Sequence, residues 1–171
     1  MAVQAAPAVA DGGATATTDK LTIIVFSGEM DRLVAAFNIA TGAAASGMDV
    51  TMFFTFWGLQ ALKKPIRTGT SLMGRMLGWF LRDLEGVGPS RMNFGGAGRW
   101  MFKAMMRRKR ITPLSELRQL AADLGVRMLA CQMSMDVMEI RREDLIDAVS
   151  GVAGVAAMLE VAGQSKATLF I

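Results

Sequence analysis

The chain has 171 residues, of which 52% are hydrophobic and 20% are charged, with a net charge of +4. This length and apolar content predict one domain with a hydrophobic core and exclude a disordered chain. The sequence holds no histidine and one cysteine, Cys131. Without imidazole, Ser-His-Asp and Cys-His catalysis and His-ligated metals are excluded, and one cysteine cannot form an internal disulfide. We therefore expect a reduced thiol, a cytoplasmic location, and no cofactor or metal.

The first half of the chain has the pattern of a strand, helix and strand unit. Residues 1–19 are mostly Ala, Thr and Gly and are predicted to be a disordered tail. Lys20 to Phe26 (KLTIIVF) is a β-branched run, which is typical of a strand buried on both faces. Helical spacing extends from Met30 to Ala45, and Gly47 follows as a C-terminal cap. Asp49 to Thr55 (DVTMFFT) is a second buried strand, expected to be parallel to the first.

The same pattern returns after the middle of the chain. Thr112 is predicted to be the N-cap of a helix with Pro113 at its first position, and Gly125 ends that helix. A strand from Val126 to Ala130 (VRMLA) follows. Cys131 comes directly after this strand.

The C-terminal part completes the predicted fold. We predict that residues 20–171 form one α/β domain on a doubly wound, mostly parallel sheet of about five strands, in a flavodoxin-like arrangement. Cys131 is followed by a Met-rich turn, QMSMD. The remaining predicted elements are a charged helix opening near Arg141 to Asp144, a short strand around Asp147 to Val149, an alanine-rich helix from Val152 to Ala162, and a closing strand from Lys166 to Ile171.

Residues 63–110, the basic insertion, break the pattern. They hold 12 of the 19 basic residues and two of the 15 acidic ones, a net charge of +10, whereas the rest of the chain carries −6. LMGRMLGWFLR and RWMFKAMMRRKR predict two short amphipathic helices. Their apolar faces are too extensive to stay in water and should pack over the sheet or a sister subunit. The residues expected there are Met76, Trp79, Phe80, Trp100, Met101 and Met105.

The charged faces of the basic insertion are predicted to dock an acidic partner around the approach to Cys131. A peripheral contact with an anionic membrane is an alternative, and a solvated helix end is the purely structural interpretation. Nucleic acid is not expected, because base-stacking aromatic residues are not interleaved with the charge. The predicted docking residues are Arg99, Lys103, Arg107, Arg108 and Arg110.

Cys131 is the candidate nucleophile. A thiol at a strand end is expected to be partly exposed, and unpaired N–H groups of a following helix would stabilise its thiolate. A small buried core cysteine is an equally weighted alternative. Copper(I) binding with nearby methionines is less favoured, because the 15 methionines are spread along the chain. The residues predicted to surround the thiol are Ser27, Met133, Ser134, Met135 and Asp136.

Several blocks of sequence resemble the DsrE/DsrF-like sulfur-relay family, in its Met-rich branch associated with rhodanese and TusA-type carriers. They are SGEMDRLVAAFNIATGAAASGMDVTMFFTFWGL, RMNFGGAG with its basic helix, LGVRMLACQMSMDVM and the closing ATLFI. The likeness covers nearly all of Leu21 to Ile171. It implies a sulfurtransferase-like carrier that holds sulfane sulfur as a persulfide on Cys131 and passes it to a partner thiol. It also implies an oligomer, commonly a trimer or hexamer.

Two departures from the family pattern bear on this expectation. Glu139 stands where relatives usually have glycine, and the second cysteine of some members is absent, which excludes an internal two-thiol relay. Two other functions stay open. One is a thiol peroxidase or redox sensor in which peroxide oxidises Cys131 to a sulfenic acid, and the other is a non-catalytic oligomeric or membrane-peripheral scaffold.

Overall fold

The computed structural model describes residues 19–80, 84–91 and 96–171. Within these ranges five strands form one sheet, and all neighbouring strands are parallel. The strands are β1 (Lys20–Val25), β2 (Asp49–Phe54), β3 (Arg127–Cys131), β4 (Gly151–Ala153) and β5 (Ala167–Phe170). Their order in the sheet is β4-β3-β2-β1-β5. The predicted α/β fold with about five mostly parallel strands is confirmed.

Helices connect the strands. Among the described residues none of them is both long and apolar enough to cross a membrane. Short 3-10 helices follow β2 and α5, at Phe56–Ala61 and Arg142–Asp144. The α-helices are α1 (Met30–Ala45), α2 (Leu72–Phe80), α3 (Ala97–Arg108), α4 (Leu114–Asp123), α5 (Gln132–Val137) and α6 (Val155–Gly163).

Alternate side chains of the central strands pack on opposite faces of the sheet. On one face, Met128 and Ala130 of β3 join the main core with α1 and α4. On the other, Cys131 of the same strand packs with Phe53 of β2 and Met158 of α6. We refer to these two sides as the α1/α4 face and the α6 face. The period of two along a strand separates them.

The α6 face is only partly covered in a single chain. Leu159 of α6 is 59% exposed and Phe170 of β5 is 69% exposed. Val155, at the start of α6, is also exposed. Phe170 stacks on Phe26, another exposed aromatic residue, with ring centroids 5.9 Å apart. Apolar surface therefore extends from α6 to the β5 edge of the sheet.

Helices α1, α3, α4 and α5 end in the same hydrogen-bonded motif, in which the residue after the C-cap is left-handed. In α1 and α4 that residue is Gly47 or Gly125, with φ of 86° and 77°, so both predicted helix ends are confirmed. In α3 and α5 it is Arg110 or Glu139, with φ of 55° and 50°. A side chain in this conformation costs about 1 kcal/mol or more relative to glycine. The two non-glycine positions therefore need compensation elsewhere.

The sequence predicts the elements of the first half and the two helices of the basic insertion. Strands β1 and β2 and helix α1 lie where the hydrophobic pattern places them, and α1 has the predicted bounds Met30–Ala45. Both amphipathic helices of the basic insertion also form, as α2 and α3. The charged segment near Arg141 forms the single 3-10 turn Arg142–Asp144 rather than a longer helix.

Two predictions around the cysteine strand are wrong. Pro113, not Thr112, is the N-cap of α4, because its ψ of 151° is not helical and the helix begins at Leu114. The Met-rich segment after Cys131 is helix α5 rather than a turn. This helix forms because Ser134 and Met135 lie on one turn and are buried together.

The position of the fourth strand is also wrong. The structure places β4 at Gly151–Ala153 instead of Asp147–Val149, and α6 begins at Val155 instead of Val152. β4 is three residues long and pairs only with β3 at the sheet edge. Such a short element has too few residues for a periodic pattern.

Some predictions fall outside the described residues. They are the conformation of residues 1–18 and the packing of the Trp79 and Phe80 side chains. Asp19, the last residue of the predicted tail, is described. Its carboxylate accepts a hydrogen bond from Lys166 Nζ at 2.8 Å and its carbonyl accepts one from Asp49 N at 2.9 Å.

Candidate functional site

The site is built on the junction between β3 and α5. Cys131 is the last residue of β3 and the N-cap of α5, with extended backbone angles φ −74° and ψ 117°. Its side chain is 1% exposed, so the expectation of a partly exposed thiol is wrong for the single chain. The reason is that the pleat of β3 turns this residue towards α6.

The thiol is covered by apolar side chains. Phe53 of β2 and Met158 of α6 are the buried residues in its cluster, and Leu129 and Ala153 pack at the periphery. Met158 is the buried residue of α6, which otherwise packs loosely on the sheet. Access to Cys131 from the α6 face therefore requires Met158 to move.

Helix α5 is tied to the end of β2 by a pair of hydroxyl groups. Ser134 Oγ and Thr55 Oγ1 lie 2.8 Å apart and share a hydrogen bond. Ser134 is fully buried, and the neighbouring Met135 is 3% exposed and belongs to the main core. These contacts fix the start of α5, and with it the backbone of Cys131.

The other residues predicted around the thiol point elsewhere. Met133 and Asp136 are exposed, and Asp136 Oδ1 accepts a hydrogen bond from Gln132 Nε2 at 2.7 Å. Ser27 lies at the end of β1, two strands from β3, where its hydroxyl donates to Glu29 Oε2 at 2.5 Å. Of the predicted set, Ser134 and Met135 lie on the anchored turn of the helix that Cys131 caps.

Sequence reasoning missed three residues that shape the site. Thr55 follows β2, and because the carboxyl ends of neighbouring parallel strands meet at one sheet edge, its proximity to the residues after β3 could have been inferred. Phe53 and Met158 gave no such signal. Their contact with Cys131 depends on strand alternation and on where α6 crosses the sheet.

The predicted docking residues lie along and just after α3. Arg99 Nη1 donates to the Gly86 carbonyl at 2.7 Å, and Lys103 Nζ bonds Glu85 Oε2 at 2.8 Å. Arg99, Lys103 and Arg107 line a cavity beside α1 and α4. The predicted docking residues outside the lining of that cavity are Arg108 and Arg110.

Met106 of α3 joins the main core, but the other apolar side chains predicted to cover the sheet do not. Trp100 is 72% exposed, and Met101 and Met105 are also exposed, as is Met76 of α2. Packing of these residues over the sheet is therefore wrong for the single chain. Packing against a sister subunit stays a prediction.

Glu139 connects the end of α5 to the start of α2. Its carboxylate accepts hydrogen bonds from Thr70 N at 2.5 Å, Thr70 Oγ1 at 2.9 Å and Ser71 N at 2.8 Å, and also from Ser71 Oγ. A methyl group at Gly74 would overlap this carboxylate, so the glycine permits the close approach. The basic insertion is thus tethered to the helix that carries Cys131 at its N-cap.

These hydrogen bonds change the acidity of the Glu139 carboxyl. The Ser71 hydroxyl, followed by the backbone N–H groups of Ser71 and Thr70, lowers its pKa to about 2 from the ordinary value of 4.5. The left-handed backbone at residue 139 accounts for the glycine expected from relatives. Here glutamate occupies that conformation, and its side chain bonds the N-terminal turn of α2.

Among the described residues, no group of three or more Cys, Asp or Glu side chains could hold a metal ion.

The fold and site define a class of small α/β proteins with a cysteine at the carboxyl end of a parallel strand. The chain matches the model of the DsrE/DsrF/DrsH-like family over residues 17–170 and belongs to that family. Sulfur carrier protein DsrE2 of Allochromatium vinosum is 36% identical over 166 residues, covering 89% of this chain and 98% of the relative. Uncharacterized protein YrkE of Bacillus subtilis is 39% identical over 163 residues, covering 92% and 99%.

Solved structures share the fold at low sequence identity. The ychN protein from E. coli matches with a TM-score of 0.57 and 11% identity, over 90% of this chain and all of that chain. MTH1491 from Methanobacterium thermoautotrophicum, a protein of unknown function, matches with a TM-score of 0.52 and 13% identity, over 90% and 99%. These similarities support the architecture of the sheet.

Replacing Glu139 with glycine should have two local effects of opposite sign, one at the end of α5 and one at the start of α2. Glycine relieves the left-handed strain at the end of α5, but loss of the carboxylate frees the N-terminal turn of α2. We expect faster hydrogen–deuterium exchange in α2 and unchanged exchange in β3. Glu143→Gln, which changes another exposed carboxylate, is the matched control. Unchanged exchange in α2 would contradict the tether.

The contact between Glu139 and the start of α2 predicts that the stability of the protein depends on pH. In the folded protein the pKa of Glu139 is about 2, below the ordinary value of 4.5, so its stabilising effect is present above pH 4.5 and is lost as pH falls towards 2. The difference in denaturation midpoint between wild type and Glu139→Gln should shrink over that interval. A constant difference would mean that the carboxylate's charge has no part in the contact.

Proposed function

We propose that this protein is a sulfur carrier that holds sulfane sulfur as a persulfide on Cys131. The observation that carries the proposal is the position of the chain's one thiol at the carboxyl end of β3, in a chain 36% identical to a protein named as a sulfur carrier. A carrier needs a thiolate and no second catalytic base, which agrees with a sequence that holds no histidine.

The transfer needs no redox partner. The Cys131 thiolate attacks the terminal sulfur of a donor persulfide, the donor S–S bond breaks, and the donor leaves as a thiolate that takes up a proton. The new Cys131 persulfide then reacts in the same way with an acceptor thiolate, which receives the outer sulfur and regenerates the Cys131 thiolate. Each step exchanges one S–S bond for another.

Burial of Cys131 makes access part of the proposed mechanism. The thiol is 1% exposed and packs with Met158, so a donor that approaches from the α6 face reaches it when α6 shifts. Glycines flank this helix at Gly154 and Gly163, where the backbone can change direction at low cost. We propose that α6 opens to admit the donor sulfur and closes over the persulfide to exclude water.

The proposed partners are TusA-like or rhodanese-like carrier proteins in the cytoplasm. Helix α3 packs near Met30 and Leu114, the first residues of α1 and α4, at the same sheet edge as Cys131. A basic helix at this edge would steer an acidic carrier towards the thiol. In this proposal the predicted docking residues along and just after α3 bind the acidic carrier.

We also propose that copies of this chain assemble through the α6 face, as a trimer or hexamer. Helix α6 carries a single charged residue, Glu160, in nine positions, and a helix apolar on nearly all sides is typical of a buried element. Leu159 and Phe170 are more than half exposed in one chain. A second copy of the chain would remove this surface from water.

Loading and transfer of sulfur can be followed by intact-protein mass spectrometry. Inorganic polysulfide should add one sulfur atom per chain, reversible by dithiothreitol, and Cys131→Ser should abolish the adduct. The loaded protein should pass this sulfur to an acidic TusA-like acceptor, more slowly as salt rises, because the association is steered by charge.

Treatment with peroxide tests the alternative function of Cys131 as a redox sensor. A sulfenic acid that forms faster than the persulfide, with no sulfur passed to an acceptor thiol, would favour the redox-sensor function instead. An adduct that survives in Cys131→Ser would contradict the assignment of the carrier residue.

Truncation of the side chain over the thiol tests the role of α6. Met158→Ala opens space above Cys131 and should raise its iodoacetamide alkylation rate about tenfold, because local opening becomes easier. Glu160→Ala, an exposed change on the same helix, should leave the rate unaltered. Equal rates in wild type and Met158→Ala would show that access does not run through α6.

Sedimentation velocity tests the assembly. Leu159→Arg places a charge in the proposed interface and should convert the oligomer to smaller species. Leu124→Arg, at the exposed apolar C-cap of α4, is the matched control and should sediment as wild type does. A wild-type protein that sediments as a monomer would contradict the proposed assembly.

A further inference from the structure

A cavity of about 420 Å³ lies between α3 and the N-termini of α1 and α4. Its volume falls in the range of pockets that bind small molecules, about 300–1,000 Å³. The floor consists of core residues that are almost fully buried in the described structure, namely Met30, Leu84, Met106 and Leu114.

One face of α3 forms the wall of this cavity. Gly96, Trp100, Lys103 and Arg107 recur at intervals of four, three and four residues, so they lie along one side of the helix. Trp100 is 72% exposed although it borders the apolar floor. A ligand with an apolar body would cover both the indole and the floor and so remove apolar surface from water.

The charged side chains at the cavity favour a negatively charged ligand. Three basic side chains, Arg99, Lys103 and Arg107, face one acidic side chain, Glu85. The hydrogen bond from Lys103 lowers the pKa of the Glu85 carboxyl, which keeps this group ionised at neutral pH. Arg99 donates to the Gly86 carbonyl. The cavity therefore carries an excess of positive charge, with exposed Arg107 at its outer end.

We propose that this cavity binds a small amphiphilic anion, with an apolar chain or ring against Trp100 and Met106 and a carboxylate or sulfonate at Arg107 and Lys103. The site is separate from Cys131, whose side chain lies on the opposite face of the sheet. The proposal does not depend on sulfur transfer.

Calorimetric titration of the full chain with decanoate tests the proposal. Acetate supplies the charge alone, 1-decanol the apolar chain alone, and decyltrimethylammonium the same chain with the opposite charge. We expect saturable binding of one decanoate per chain, about tenfold weaker binding of decanol, and no saturable binding of acetate or the cation.

Two adjacent arginines give a matched pair of variants. Arg107→Gln should weaken decanoate binding about fivefold to tenfold and leave decanol binding unchanged, because it removes one of the two cations that contact the carboxylate. Arg108→Gln, outside the lining residues, should bind decanoate as wild type does. Cys131→Ser should also bind decanoate normally, which separates this proposal from that of the carrier.

Three results would overturn the proposal. Equal binding of decanoate and the cation would indicate an unspecific apolar surface. Equal effects of Arg107→Gln and Arg108→Gln would mean that the cavity does not position the anion. Binding to phosphatidylglycerol vesicles without binding to monomeric decanoate would assign the basic helix to a membrane surface instead.

Discussion

The pleat of β3 is the constraint on which the site depends. Ala130 pairs with Phe54 and faces the main core, while Cys131 stands one residue further and faces α6. A shift of register by one residue would exchange the two faces. Because parallel neighbours on both sides hold β3 in register, the thiol is fixed beneath α6. Under the proposed mechanism, its exposure would depend on one short helix, α6, and not on the sheet.

The position of α6 links access to the Cys131 thiol with the proposed assembly of subunits. Helix α6 buries Met158 over the thiol and leaves Leu159 exposed on the adjoining side. Under the proposed assembly, a second copy of the chain would rest on the helix that has to move for sulfur to enter. Entry of sulfur would then depend on the contact between subunits. The route to Cys131 that this contact leaves uncovered would run along the carboxyl edge of the sheet.

The hydrophobic pattern of the sequence was sufficient to locate elements that are long or strongly apolar. β1, α1 and β2 could be placed from hydrophobic spacing, and Gly47 marked the end of α1 because its backbone is left-handed. Pattern failed for β4, which has three residues, and for α5, whose one buried turn is too short to show a helical period. The position of Cys131 at a strand end followed from sequence. Sequence left its burial open between a partly exposed thiol and a buried core cysteine, because Met158, which packs on it, comes from a distant part of the chain.

The charged insertion illustrates a different limit. Composition identified residues 63–110 as basic and amphipathic, and both helices formed. Sequence alone could not show that Arg99, Lys103 and Arg107 would share a cavity with core residues, since that depends on where α3 meets α1 and α4. The sum of charge along a segment therefore predicts that the segment is basic, but not which of its basic side chains come together.

Glu139 connects these parts of the molecule. In isolation, a glutamate in the left-handed region is a local strain of about 1 kcal/mol or more. Its carboxylate accepts hydrogen bonds from Thr70 and Ser71, 69 and 68 positions away in the sequence, so the compensation is tertiary. The turn that ends α5 thereby holds the start of α2, while Ser134 holds α5 against β2. The basic insertion and the cysteine strand are thus joined through one short helix, and movement at either end of α5 is resisted by the contacts at the other.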